Sequence, residues 1–180
     1  MNPVGVLLSV VAGLVAIVAV VGIYNGITAS LKEGESIELL NQLRANVERI
    51  YSGQSSYGTG GSLVPVLSGF GKIPDGARTG AVSGTGATIQ HPFGGAVKVD
   101  GNAGRFSITF EDLDDETCKD LGQAYAGRTR AGSGIVRMMV STGAPSGTRW
   151  TGPPVVRNIT WLNTDCSNGA ASNNLTFVFG

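Results

Sequence analysis

Apolar residues fill the chain from Pro3 to Tyr24 (PVGVLLSVVAGLVAIVAVVGIY), with Ser9 the one polar break, and no Asp, Glu, Lys or Arg occurs from Met1 to Leu31. A helix rising about 1.5 Å per residue makes this run roughly 33 Å long, a match to a hydrocarbon core of about 30 Å. A domain built from the rest of so small a chain could not bury such an element on all sides, so the run predicts a membrane-spanning helix. After a polar junction (Lys32, Glu33, Gly34, Glu35) the pattern changes without losing its period. Ile37, Leu40, Leu43, Val47 and Ile50 recur at three- and four-residue steps, with Glu38, Asn41, Gln42, Glu48 and Arg49 between them. That stripe predicts an amphipathic continuation of the same helix, ended by Gly53. The expected organisation is a membrane or core half over 1–30, an amphipathic half over 31–53 and a globular head over 54–180.

Within the head, residues 54–90 are rich in Gly, Ser and Thr and read as a long surface loop with a short helical stretch near Pro74–Arg78. The sheet is expected within 91–180. Strand patterns follow at Ala96–Val99, Phe106–Phe110, Ile135–Val140, Val155–Trp161 and Leu175–Phe179. Phe106, Ile108 and Phe110 alternate with Ser107 and Thr109, which predicts a strand with one buried face. Between strands, LDDETCKDLGQAYAG reads as a helix with acids at its positive end and Leu113, Cys118, Leu121 and Tyr125 on one face. The fold class is α+β, an antiparallel sheet packed against the C-terminal half of the long helix.

Composition adds the compartment. Charged residues are 14% of the chain, well below the usual quarter, while Gly reaches 28 of 180. Lys and Arg number 13 and Asp and Glu 13, so no net charge draws the chain towards nucleic acid or an anionic membrane. A secretory signal peptide is a poor reading of the N-terminal run, because no basic segment precedes it, it is too long, and helix rather than a cleavage site follows. Orientation normally comes from positive charge on the cytoplasmic flank. A bare start is therefore read as a processed N-terminus at Met1.

Little catalytic or metal chemistry is visible. Cys118 and Cys166 lie far from each other and from the only histidine, a spacing unsuited to zinc. Two buried thiols or a disulfide remain, and export favours the bridge, worth about 4 kcal/mol in the chain-entropy treatment. His91, in the turn sequence QHPFGG, reads as a loop residue, and GTGGS and SGTGAT as flexible loops rather than phosphate cradles. No cofactor is expected. A membrane-anchored periplasmic binding domain or enzyme would need a convergent polar constellation, and none is found.

Four stretches resemble the type IV pilins, the type IVb subgroup in particular, with likeness to the toxin-coregulated, bundle-forming and conjugative thin-pilus pilins. They are the hydrophobic start at Met1, FGKIPDGARTG (Phe70–Gly80), RFSITFEDLDDETCKDL (Arg105–Leu121) and TDCSNGAASNNLTFVFG (Thr164–Gly180). In that subgroup two cysteines bracket a variable region, as Cys118 and Cys166 would here. The resemblance implies a subunit cut by a prepilin peptidase, methylated at its new N-terminus (Met1) and assembled by an inner-membrane machine. It would polymerise with identical subunits through its N-terminal helix into an extracellular pilus for adhesion, aggregation or conjugative contact.

The chain departs from the pattern at two places. Most of these pilins carry a glutamate where this chain has Gly5, a carboxylate thought to neutralise a neighbour's buried amine, and an unpaired buried ammonium costs several kcal/mol. Gly5 therefore keeps a minor pilin or pseudopilin of a secretion machine as the alternative. Many members also carry a helix-bending proline where this chain has Gly22. Gly13, Gly22 and Gly26 could serve close helix packing or loosen the helix on assembly. Charge is unevenly spread as well: acids cluster at Asp112, Asp114, Asp115 and Glu116, and arginines without acids follow from Arg128 and Arg130 to Arg157. Head-to-tail stacking needs complementary patches on opposite sides of a subunit. These two groups are expected to meet between neighbours; solvated faces and a DNA-binding patch are the other readings, the latter without aromatic support.

Overall fold

The computed structural model describes residues 3–81, 86–126, 134–143, 150, 159–167 and 172–180, with the side chains of the first helix described at Tyr24 and from Gly26 on. Helix α1 (Pro3–Ile50) runs unbroken for 48 residues, as the joined apolar and amphipathic patterns require. It ends where Gly53 takes a positive φ of 84°, a backbone state open to glycine without a Cβ clash. Leu40, Leu43 and Val47 of the predicted stripe are buried, and Ile37 and Ile50 are half-buried against the core. Leu39, four residues before Leu43 at the edge of the stripe, is buried too.

Among the described residues seven strands form one antiparallel sheet: β1 (Thr59–Ser62), β2 (Arg78–Gly80), β3 (Ala87–Gln90), β4 (Ala96–Asn102), β5 (Arg105–Leu113), β6 (Ile135–Ser141) and β7 (Asn173–Phe179). Their order is β2-β3-β4-β5-β7-β6, with β1 added to the far half of β4. The register puts Val97 opposite Phe110, Val99 opposite Ile108, Ile108 opposite Phe177 and Phe106 opposite Phe179. These side chains therefore share one face and form a core with Leu39, Leu40, Leu43 and Val47 of α1. The Phe106 and Phe179 rings stack at 4.9 Å. Arg44 of α1 lies over Phe179 at 5.1 Å while its Nε donates to Glu48.

The head's described residues also hold the short helices α2 (Val64–Gly69), α3 (Asp115–Ala126) and α4 (Ile159–Asp165). The predicted helix over 113–127 is α3, but Leu113 still belongs to β5 and Asp114 caps the start. Its carboxylate accepts from the Thr117 N–H at 2.8 Å and the Thr117 hydroxyl at 3.0 Å, supplying an acceptor to a helix end that has none of its own.

The sequence expectations need correction in several places. Residues 54–90 are not one loop, since β1, α2, β2 and β3 lie there. These elements are only three to six residues long, too short for a periodic signature, and the two outer strands complete an existing sheet edge. Pro74–Arg78 forms a single turn, in which Ala77 and Arg78 both donate to Pro74 O before the chain enters β2. Trp161, placed by sequence at the end of a strand, lies in α4; residues 151–158 fall outside the described set. Ser107 and Thr109 are fully buried rather than solvent-facing. The Thr109 hydroxyl meets that of Thr176 on β7 at 3.0 Å, so an inner strand can bury polar side chains that bond across it.

Candidate assembly surface

Burial along α1 divides it. From Ser36 onward the helix is packed on the sheet, but Tyr24, Ile27 and Leu31 are 69%, 58% and 62% exposed. Spaced by three and four residues, they line one side of the helix. Single exposed apolar residues are ordinary, whereas a contiguous row of large ones marks a surface that another molecule covers. Gly26 lies on another side of the helix, where an added Cβ would meet nothing within 4 Å. The helix is continuous through Gly5, Gly13, Gly22 and Gly26 in this single chain.

Beside the row, residues 24–33 of α1 and the first turns of α3 enclose a cleft of about 730 Å³. Its acidic rim is Glu33, Asp114, Glu116 and Asp120; Lys32 supplies positive charge and Phe93 an apolar wall, with the Lys32 ammonium 5.9 Å from the Phe93 ring centre. The acidic residues expected to face a neighbour have different duties. Asp114 is committed to capping α3, and Asp115 accepts from Asn173 Nδ2 at 2.8 Å. Glu116 and Asp112 are exposed. Asp112 adopts a positive φ of 59° at a bulge in β5, where its N–H donates to Asn174 Oδ1 at 3.1 Å. Arg128, Arg130 and Met1 lie outside the described residues, so the opposite charge patch is not placed.

Cys118 on α3 and Cys166 just after α4 form a disulfide, with Cα atoms 5.9 Å apart. Close packing supports it: a Cβ at Gly122 of α3 would overlap Leu162 of α4. On the far side, Asn173 Nδ2 donates to Cys166 O as well as to Asp115. The bridge thus joins α3, α4 and the start of β7 into one corner of the head.

This architecture can be compared with known proteins. The family described as PilS N terminal matches residues 32–179. The chain belongs to the PilS N-terminal family. Among solved structures, the type IVb pilin from Salmonella typhi is 16% identical with a TM-score of 0.57, and the match covers 80% of this chain and 97% of that one. TcpA, a type IV pilin from Vibrio cholerae El Tor biotype, is also 16% identical with a TM-score of 0.57, over 83% of this chain and 99% of its own. No curated protein sequence matches. Identity so low speaks for the fold alone, and that fold is the type IVb pilin fold expected from the four stretches. The chain is a pilin, and nothing in the comparisons points to an enzyme.

Two residues of this pilin were not legible as sites. Among the described residues no group of His, Cys, Asp and Glu could hold a metal ion, yet His91, read as a loop residue, is buried. Its Nε2 lies 2.7 Å from Glu111 O, and its ring packs on Phe110 and Phe93 at 5.7 and 6.0 Å. Burial pushes the His91 imidazole below its ordinary value, against the opposing pull of the Glu111 bond and of Asp112. Gly95 makes the contact possible, because a Cβ there would overlap both Glu111 O and His91 Nε2. The dipeptide GG in QHPFGG was the only hint of this in the sequence.

Among the described residues no helix is long and apolar enough to cross a membrane. The apolar run of α1 lies almost wholly outside the described side chains, so this observation does not bear on it.

Proposed function

We propose that this pilin is the major structural subunit of a type IVb pilus, polymerising through α1 into an extracellular filament used for adhesion, aggregation or conjugative contact. The observation that carries the reading is the exposed row Tyr24, Ile27 and Leu31 on a helix that continues to Pro3. An all-apolar helix has two stable environments, a bilayer or other apolar helices, and the polymer supplies the second. Before assembly the same segment would anchor the subunit once in the inner membrane, where a prepilin peptidase and the pilus assembly machinery would act on it. Identical subunits are the partners, and no specific nucleic acid is involved.

Small residues at Gly5, Gly13, Gly22 and Gly26 would let α1 helices approach closely, and Gly22 is the place where the helix would loosen on assembly. A filament map with continuous helix from residue 10 to 50 would refute that loosening. The exposed carboxylates of Asp112 and Glu116, flanked by Asp114 and Asp115, would face Arg128 and Arg130 of a neighbour. Charge reversal of both arginines with pilus assembly intact would count against this contact.

A minor pilin or pseudopilin of a secretion machine is the second reading, favoured by Gly5 where a carboxylate is expected. Electron microscopy of a surface preparation, with the fibre composition measured by mass spectrometry, separates the two. Long thin fibres made chiefly of this chain support the major subunit; fibres holding it as a trace component support the minor one. Its absence from any fibre sinks both filament readings.

A further inference from the structure

His91 is the one histidine of the chain, buried to 2% exposure, and neither filament reading uses it. Glu111 O can only accept, so Nε2 carries the proton of the neutral ring and donates to it across 2.7 Å. Nδ1 is then a bare lone pair, enclosed and without any hydrogen-bond partner. This arrangement suits one protonation state. A second proton would sit on Nδ1 with no acceptor, adding charge to a ring held between Phe110 and Phe93.

The surrounding charges do not change that conclusion. On β5, the Glu111 carboxylate is taken up by Lys98 of β4 at 2.6 Å, and Asp112 is exposed beyond the bulge. Lys32, Glu35 and Glu38 of α1 line an adjoining cleft of about 600 Å³ that His91 also borders. Asp75 and Arg78, in the turn on its far side, pair with each other at 2.8 Å. None of these groups bonds Nδ1. Burial lowers the imidazole's proton affinity and outweighs the Glu111 bond and the Asp112 charge, which favour the charged ring.

The ring also anchors a turn. His91 N–H bonds Gly95 O and Gly94 N–H bonds His91 O, closing a tight turn. At its tip Phe93 reaches Lys32 of α1 and walls the acidic cleft below the head. We propose that His91 is a pH-sensitive latch, which holds the 91–95 turn to the β5 bulge when neutral and releases it, with Phe93, from the foot of α1 when protonated. An opened turn frees Nδ1 to meet water, so the open state binds the proton more tightly than the closed one. The closed state is therefore favoured at high pH and loses ground as pH falls below the ordinary imidazole value of about 6.5. The opening constant rises by at most about tenfold for each pH unit in that window.

The test is amide hydrogen exchange with nitrogen NMR of the full chain in detergent between pH 7.5 and 5, corrected for intrinsic exchange. The expected result is a neutral Nε2–H ring at pH 7.5, then falling protection of the His91 and Gly94 amides on acidification while β7 amides hold. His91→Gln, whose amide can still donate to Glu111 O but cannot titrate, should flatten the pH dependence. Protection that is flat with pH in the wild type overturns the latch. So does a ring that titrates with the turn still protected, or the same acid sensitivity in His91→Gln. The ring signals and wild-type exchange decide the matter without the variant if it fails to fold.

Discussion

Removing the Cys118–Cys166 bridge gives the sharpest energetic prediction. The cysteines are separated by 48 positions, and in the chain-entropy treatment closing such a loop removes about 14 cal/mol/K from the unfolded chain, or about 4 kcal/mol at 25 °C. At roughly 2–4 °C per kcal/mol for a domain of this size, the double variant Cys118→Ala/Cys166→Ala should melt roughly 8–16 °C lower. Both residues are fully buried, so the lost sulfur packing acts in the same direction. Differential scanning calorimetry of the full chain in detergent measures the shift, with wild type plus reductant as a second route to the open loop. The bridge is the one covalent tie between α3 and the end of α4, so protection should fall first over 159–167 when it is removed. A shift below about 3 °C, with reduction confirmed by thiol counting, would refute the entropic argument.

Three other perturbations probe different links. Leu43→Ala empties a wholly buried site between α1 and the sheet and should cost about 3 kcal/mol, read as a lower urea midpoint at unchanged slope. Gly95→Ala forces a methyl into Glu111 O and His91 Nε2; a loss of about 1–3 kcal/mol is expected, and an unchanged melting point would show that the turn can shift freely. Gly26→Ala meets nothing in the single chain and improves helix propensity by up to about 1 kcal/mol, so the subunit should be at least as stable. Its filament yield should nevertheless fall if helices pack closely there, and full assembly would remove Gly26 from the contact.

Long-range periodicity made much of the framework readable. The three- and four-residue steps from Ile37 to Ile50 led to the buried face of α1, and the alternation around Phe106 to β5. Where the signal was short or two-sided it misled. Ile159, Thr160 and Trp161 have strand propensity, yet Leu162 and Cys166 are four apart, and both are buried beside α3 where one seats on Gly122 and the other bonds Cys118. Helical spacing satisfies both contacts at once, and tertiary packing overrode local preference. Leu39, at the edge of the stripe four residues before Leu43, was passed over in the sequence reading; it also borders a cleft lined by Pro74 and Ala77. That second contact exists only after the chain folds back.

By itself the sequence determined the long uncharged helix, its amphipathic continuation and the central strands. Each depends on residue type repeated at a fixed spacing, and such repetition survives without knowledge of neighbours. The tertiary structure alone decided that the apolar row Tyr24, Ile27 and Leu31 stays uncovered by the head. It also decided that Asp114 and Asp115 serve the head's own corner and that His91 lies buried with one nitrogen unpartnered. Burial and hydrogen-bond satisfaction are properties of pairs, and His91 meets Glu111 only because β3, β4 and β5 lie side by side in register.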